Sequence, residues 1–201
     1  MNCVYCHSEI ERDYNLINMF IQPSCLCDGC LSELMELKID ESFQFYNMNV
    51  TSIYEYNRIV KRMIRRYKFL GDVALEKVFS MFVKEKIRLY DKVIPVPISK
   101  LRLKERGFNQ VTRILDDAGV KYDDILTSHR TMRQSQLSKY ERETEVNPFS
   151  MREDIDLKNQ SIIIVDDIFT TGETVRQVSE ILKAHNPKRI DVLTFSISRK
   201  L

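Results

Sequence analysis

Between Ser161 and Ser196 the order of apolar and polar residues describes a strand, a turn, a helix and a second strand. Ile162-Ile163-Ile164-Val165 is a short β-branched run without alternation, the pattern of a strand buried on both faces of a parallel sheet. Val175, Val178, Ile181 and Leu182 then recur at helical spacing, Asn186-Pro187 stops that helix, and Ile190 to Ser196 forms the next strand. A right-handed crossover is expected. Upstream, Tyr56, Ile59, Val60, Met63, Ile64 and Tyr67 make a helical stripe, with Arg58, Lys61, Arg62, Arg65 and Arg66 on the opposite face. Val73, Val78, Phe79, Phe82, Val83 and Ile87 predict a second, continuous helix. Lys92 to Val96 is a core strand ended by Pro97, which lacks the ladder donor. Phe108, Val111, Ile114 and Leu115 form a helix to Gly119, and Ile125-Leu126 a short strand. Leu31 to Leu37 predicts a short helix, and Phe43, Phe45 and Tyr46 open a single strand within Glu41–Ser52. The sum is an α/β architecture, a parallel sheet flanked by helices.

Composition sets bounds on this picture. A chain of 201 residues suits one domain of fair size plus a small appendage. Hydrophobic content of 43% and charged content of 30% are those of a soluble globular protein, and a net charge of +2 is too small to argue for nucleic acid by itself. No apolar stretch is long enough to span a bilayer and the first residues do not form a signal peptide, so a cytoplasmic protein without a membrane partner is expected.

The five cysteines, all within the first thirty residues, change it more. Cys3-x-x-Cys6 and Cys27-x-x-Cys30 have the spacing of a four-thiolate zinc site, each knuckle turning two sulfurs to one side. Disulfides compete, but the odd count and a reducing compartment oppose them. Cys25 in place of Cys27, and His7 as a weaker substitute, stay open as ligands. A closed four-sulfur site has no position for substrate, so the zinc is expected to be structural, in a module of residues 1–45 ahead of a larger domain of residues 46–201.

The main chemistry lies where the Ile/Val strand ends. Asp166-Asp167-Ile168-Phe169-Thr170-Thr171-Gly172-Glu173-Thr174 places two carboxylates, two hydroxyls, a glycine and a helix start in sequence. Open parallel sheets bind ligands beyond the carboxyl ends of their strands. The amides of Thr170 to Thr174 can converge on a phosphate there, with Gly172 freeing the backbone. Carboxylates repel phosphate but suit the vicinal hydroxyls of a sugar, or a divalent cation that a sugar diphosphate brings along. A phosphorylated ribose meets both demands, whereas an ordinary strand–helix turn needs only one capping residue.

Two polar segments bear on the same end. Lys100, Arg102, Lys104 and Arg106 follow the Lys92–Val96 strand, as cations for a pyrophosphate or merely as a solvated loop. The long stretch from Arg130 to Phe149 is too polar for a core and suits a lid over a reactive phosphosugar, or a plain exposed excursion.

The Asp-Asp-x-x-Thr-Thr-Gly-x-Thr turn resembles the binding signature of type I phosphoribosyltransferases, which use phosphoribosyl pyrophosphate (PRPP); Phe169 stands where that family prefers an aliphatic residue. With the paired cysteine knuckles, Lys68…Gly71, Pro95-Val96-Pro97, Arg106-Gly107-Phe108-Asn109-Gln110 and Arg130…Gln134…Leu137…Arg142…Asn147…Phe149, nearly the whole chain is similar to the ComF family of late competence proteins. The resemblance implies a type I phosphoribosyltransferase-like fold. It implies that Asp166 and Asp167 contact the ribose hydroxyls or their magnesium, and that Thr170, Thr171, Gly172 and Thr174 hold the 5′-phosphate with the Glu173 amide. Lys100 and Arg106 are candidates for the pyrophosphate. The implied reaction is glycosyl transfer from PRPP to an unidentified acceptor with release of pyrophosphate, and no Cys-His or Ser-His arrangement suggests a protein nucleophile. A PRPP sensor without catalysis is the alternative, or an adaptor of the competence machinery that binds single-stranded DNA through the basic helix beside a helicase partner.

Overall fold

The computed structural model describes residues 1–10, 25–130, 147–152 and 155–198. Helix α1 (Asp28–Glu36) leads into a hairpin of β1 (Lys38–Phe45) and β2 (Met48–Glu55), followed by α2 (Arg58–Phe69), α3 (Glu76–Ser80) and α4 (Val83–Ile87). Then come β3 (Lys92–Pro95), α5 (Lys100–Arg106), α6 (Gln110–Asp117), β4 (Leu126–Ser128), β5 (Phe149–Met151), β6 (Ser161–Phe169), α7 (Glu173–Lys183) and β7 (Arg189–Ile197). The main sheet has the order β1-β2-β7-β6-β3, parallel throughout except for β1, and β4 and β5 form a separate antiparallel pair.

The unalternated Ile/Val run is buried on both faces. Ile163 and Val165 join Leu193 and Phe195 in one core with α2, α3, α4, α6 and the cysteine-rich segment. Ile162 and Ile164 join Val192 in a second core with α7, β4 and β5. Each of these side chains, fully withdrawn from water, stabilises the sheet by about 1.5–3 kcal/mol. The cysteine-rich segment has no core of its own among the described residues: Cys3, Cys25, Leu26 and Leu34 are buried with α2 and its neighbours. Arg66 reinforces that junction, donating to the Tyr5 carbonyl at 2.6 Å and to Asp72 at 2.9 Å.

Four local expectations change. The single strand of Glu41–Ser52 is a hairpin, with Phe45 paired to Met48. Its two-residue turn, Tyr46-Asn47, has Tyr46 at φ 51°, a conformation usually marked by glycine, so Asn47 was its one weak turn signal. The continuous helix from Val73 to Ile87 is a 3-10 turn (Val73–Leu75) and two short helices. The break falls at Phe82 (φ −116°, ψ 0°), whose ring lies 6.3 Å from that of Tyr54 and under Lys38. The basic stretch after β3 is the helix α5, capped by Ser99, rather than a loop. Strand β6 runs on through both acids to Phe169, pairing Asp166 with Thr194 and Phe169 with Ile197. Residues 131–146, most of the expected lid, lie outside the described residues.

Candidate phosphosugar site

Gly172 adopts φ 76° and a side chain there would collide with its surroundings, its Cβ falling 2.3 Å from the Phe45 ring and 2.8 Å from that of Phe169. Phe169 packs edge-on against Phe43 and Phe45 at 5.2 and 5.1 Å, so the aromatic residue that departs from the family pattern is matched by two from the β1–β2 hairpin. Together they press the turn against the start of α7. The first amides of α7 have no partner within the helix and carry its positive pole, which makes the turn competent to hold a phosphate. Thr170 and Thr174 line the pocket; Thr171 is exposed and its hydroxyl accepts from the Glu173 amide at 3.4 Å. The Glu173 carboxylate is turned to Arg176, at 2.7 Å.

Adjacent residues of a strand point to opposite faces. Asp167 accordingly reaches toward α2 and α6: its Oδ2 accepts from Gln110 Nε2 at 2.7 Å and forms an ion pair with Lys68. Asp166 belongs to the other side, and its Oδ1 accepts the Asp167 amide at 2.8 Å. The two acids diverge in proton affinity for this reason. Burial, then the Asp167 charge, pushes Asp166 up to about 7. Burial acts the same way on Asp167, but the Lys68 ammonium and the Gln110 amide outweigh it and hold that carboxyl below its ordinary range.

Both acids line one pocket of about 210 Å³ beyond the ends of β3 and β6. Its other walls come from Val96 to Ser99 after β3, Arg102 of α5, Gln110 of α6, Lys68 of α2, and Ser128, Arg130 and Phe149 around the β4–β5 pair. Arg130 donates to Gln177 at 2.7 Å and stacks over Phe149 at 4.8 Å, so its direction is set by α7 and β5. The Arg102 guanidinium has no hydrogen bond or ion pair to another described residue. The sequence candidates on α5 stand elsewhere: Lys100 is exposed and does not line the pocket, and Arg106 donates to Gln110 at 2.7 Å while lying over Phe69. Arg102 was among the cations expected after β3, though Lys100 and Arg106 were preferred to it, and Lys68 and Gln110 entered only as parts of the wider family pattern, without a role at the site. One signal was available for Lys68, which is four residues beyond Ile64 and so flanks the apolar stripe rather than the basic face.

Away from this pocket, the sulfurs of Cys3, Cys6, Cys27 and Cys30 all lie within 4.8 Å of one another, with Cys6 and Cys27 at 3.7 Å. Hydrogen bonds from Ser8 pull the Cys6 thiol down to about 6, toward the thiolate that a metal requires. Four thiols at this spacing could hold one tetrahedral zinc ion. Cys25 is buried outside the cluster, where burial raises its thiol, and His7 faces Arg66 at 2.9 Å.

A parallel sheet carrying a glycine turn, paired acids and a cation-lined pocket beyond its strand ends defines a phosphoribosyltransferase-type fold, and a family model described as "Phosphoribosyl transferase domain" matches residues 104–198. The chain is 32% identical to competence protein ComFC of Streptococcus pneumoniae, over 99% of this chain and all of that one. It is 28% identical to ComFC of Bacillus subtilis over 98% of this chain and 83% of that protein, and 22% identical to competence protein F of Haemophilus influenzae over 94% of each. The chain belongs to the ComF family.

Proposed function

We propose that the protein binds PRPP and transfers its phosphoribosyl group to an acceptor, with release of pyrophosphate. The observation that carries this reading is the convergence, in one pocket, of the Thr170–Thr174 turn, both acids and three cations. The turn takes the 5′-phosphate. Asp166 and Asp167 each keep one carboxylate oxygen without a partner among the described residues, one acceptor for each of two vicinal hydroxyls. Arg102 and Arg130 meet the pyrophosphate, where charge grows as the bond to the anomeric carbon breaks. Magnesium, carried by the pyrophosphate, supplies further charge to the same leaving group. The anomeric carbon gains positive character and the acceptor enters opposite, without a protein nucleophile.

In calorimetric titration with PRPP and magnesium, the wild type should bind saturably, and Asp166→Ala/Asp167→Ala should weaken binding by about a hundredfold or more. A folded wild type without binding removes the reading. Binding without pyrophosphate release across candidate acceptors would leave a PRPP sensor.

The relatives' names connect the family to competence, and a second reading follows from the basic face of α2. Arg58, Lys61, Arg62 and Arg65 are exposed, and Arg58 and Arg62 border a groove of about 540 Å³ with Tyr5 and Glu33. An aromatic ring beside arginines suits single-stranded DNA, met in the cytoplasm beside a competence helicase. Neutralising Arg62 and Arg65 should lower DNA affinity and flatten its salt dependence by about one unit of slope per charge lost, while PRPP binding persists. The four-cysteine cluster is read as a structural zinc site in the segment ahead of the sheet; the boundary expected between residues 45 and 46 would cut the β1–β2 hairpin, so we place it before β1. A strong chelator should release one zinc per chain and lower the melting temperature, and Cys27→Ser but not Cys25→Ser should lose the metal.

A further inference from the structure

Asp167 is the acid closest to satisfied before any ligand arrives. Its Oδ2 carries both the Lys68 ammonium and the Gln110 amide, and Gln110 is in turn held through its Oε1 by Arg106 at 2.7 Å. The Lys68 and Asp167 side chains are only 11% and 13% exposed, and both face the pocket. Lys68 arrives from α2, which is remote in sequence from the β6–α7 turn. Its neighbour Tyr67 fixes the end of α2 by donating to the Gln110 carbonyl at 3.0 Å, and Phe69 on the other side lies under Arg106. The other cations of α2 are exposed or, in Arg66, paired with Asp72. Lys68 alone among them is turned into the sheet end.

A divalent ion on the open Oδ1 of Asp167 would share a carboxylate whose charge the Lys68 ammonium on Oδ2 already offsets, and two cations held that close repel. The donor set therefore does not fit a metal held by this acid. We infer that Lys68 takes the place of a metal at the acid pair, so that a phosphopentose is held by its hydroxyls and 5′-phosphate without magnesium. This rests on the phosphosugar reading of the pocket and deepens it: the ion pair keeps Asp167 ionised and aimed, and its second oxygen stays open to a hydroxyl. Magnesium then has a task only on a pyrophosphate, and a ligand without one binds in its absence.

Ribose 5-phosphate separates the two ideas because it lacks the pyrophosphate. Titrated calorimetrically in EDTA, the wild type should bind it with an affinity within about threefold of that in magnesium, a difference under about 0.7 kcal/mol. Lys68→Met should lose about tenfold or more in EDTA and recover most of that loss when magnesium is added, because the bared acid pair can now take the ion. Lys68→Arg, which keeps the charge, should stay metal-independent. A wild type that needs magnesium for ribose 5-phosphate overturns the inference with no variant required. So does a Lys68→Met protein that binds normally, or one whose loss magnesium does not relieve, the sign of a purely structural role. If the folded wild type takes neither ribose 5-phosphate nor PRPP in any condition, the reading of the pocket itself has failed. PRPP binding with metal-dependent ribose 5-phosphate binding sinks only the role of Lys68.

Discussion

Two polar stretches leave neighbouring parallel strands at the same end of the sheet, and they are built differently. After β6, the turn through Gly172 is clamped: the glycine sits at φ 76° under the ring of Phe45, which is itself packed against Tyr46 and Phe169. After β3, helix α5 has no buried residue, and Leu101 and Leu103 are 45% and 43% exposed. It is held at its ends, by the Ser99 cap and its bridge to Ser128 at one and by Arg106 on Gln110 and Phe69 at the other. The first stretch presents backbone amides, whose positions follow from the chain path. The second presents long side chains, whose positions depend on what they touch. An anion held between them meets one rigid wall and one adjustable wall.

The sharpest way to break the rigid wall is Gly172→Ala. The left-handed backbone costs a side chain about 1 kcal/mol and the collision with Phe45 about 1–3 more, so urea unfolding should show a loss of about 3 kcal/mol. PRPP binding should vanish with it. In a Phe45→Leu background the closer collision is relieved while the 2.8 Å approach to Phe169 stays, so the same substitution should cost about 2 kcal/mol, from backbone strain and the lesser contact. Equal costs in both backgrounds would mean that the hairpin does not clamp the turn.

That clamp also marks the limit of what the chain revealed before its fold was known. The turn was legible because strand, acids, glycine and helix start are contiguous, and each residue type has a local physical reason to be there. The cysteine cluster was legible from spacing, since each knuckle is a local structure, but which of Cys25 and Cys27 joins it depends on packing against α2. Phe45 and Phe43 gave no sign that they serve the turn, because they come from a hairpin more than a hundred residues away whose tight turn lacks a glycine. The cation wall was legible in kind and not in detail. Strand alternation decides that Asp167 faces α2, and helix phase decides that Arg102 rather than Lys100 faces the pocket; both need the three-dimensional arrangement of elements that share no sequence neighbourhood.

A smaller effect tests the boundary between the walls, at Asp166. Its carboxyl is raised to about 7 by burial and the Asp167 charge, well above its value in an unfolded chain. Between about pH 4 and 7 the folded protein therefore holds a proton that the unfolded chain has released, so this group's stabilising contribution is complete below that window and is lost as pH rises through it. Asparagine keeps the acceptor for the Asp167 amide and cannot titrate. Asp166→Asn should match the wild type in stability near pH 4 and exceed it by on the order of 2 kcal/mol at pH 8, read from denaturant melts across that range. A constant difference across pH would place the charge of Asp166 in better-solvated surroundings than the fold implies. Binding of PRPP should weaken in the same variant, which separates stability from function at one residue.

The adjustable wall is tested by the smallest change. Arg102 lines the pocket with no partner among the described residues, while Lys100, one turn face away on the same helix, is exposed. Because α5 buries nothing, neither side chain contributes packing, and Arg102→Gln and Lys100→Gln should both melt with the wild type. Their effects on ligand should differ. Removing a charge-assisted contact to a phosphate costs about 1–2 kcal/mol, so Arg102→Gln should weaken PRPP about tenfold, whereas Lys100→Gln should stay within about twofold. Ribose 5-phosphate distinguishes the walls: it uses the turn but offers no pyrophosphate, so Arg102→Gln should leave its affinity nearly unchanged. If Arg102→Gln weakens both ligands alike, the helix serves the same phosphate as the turn, and the site has one anion position in place of two.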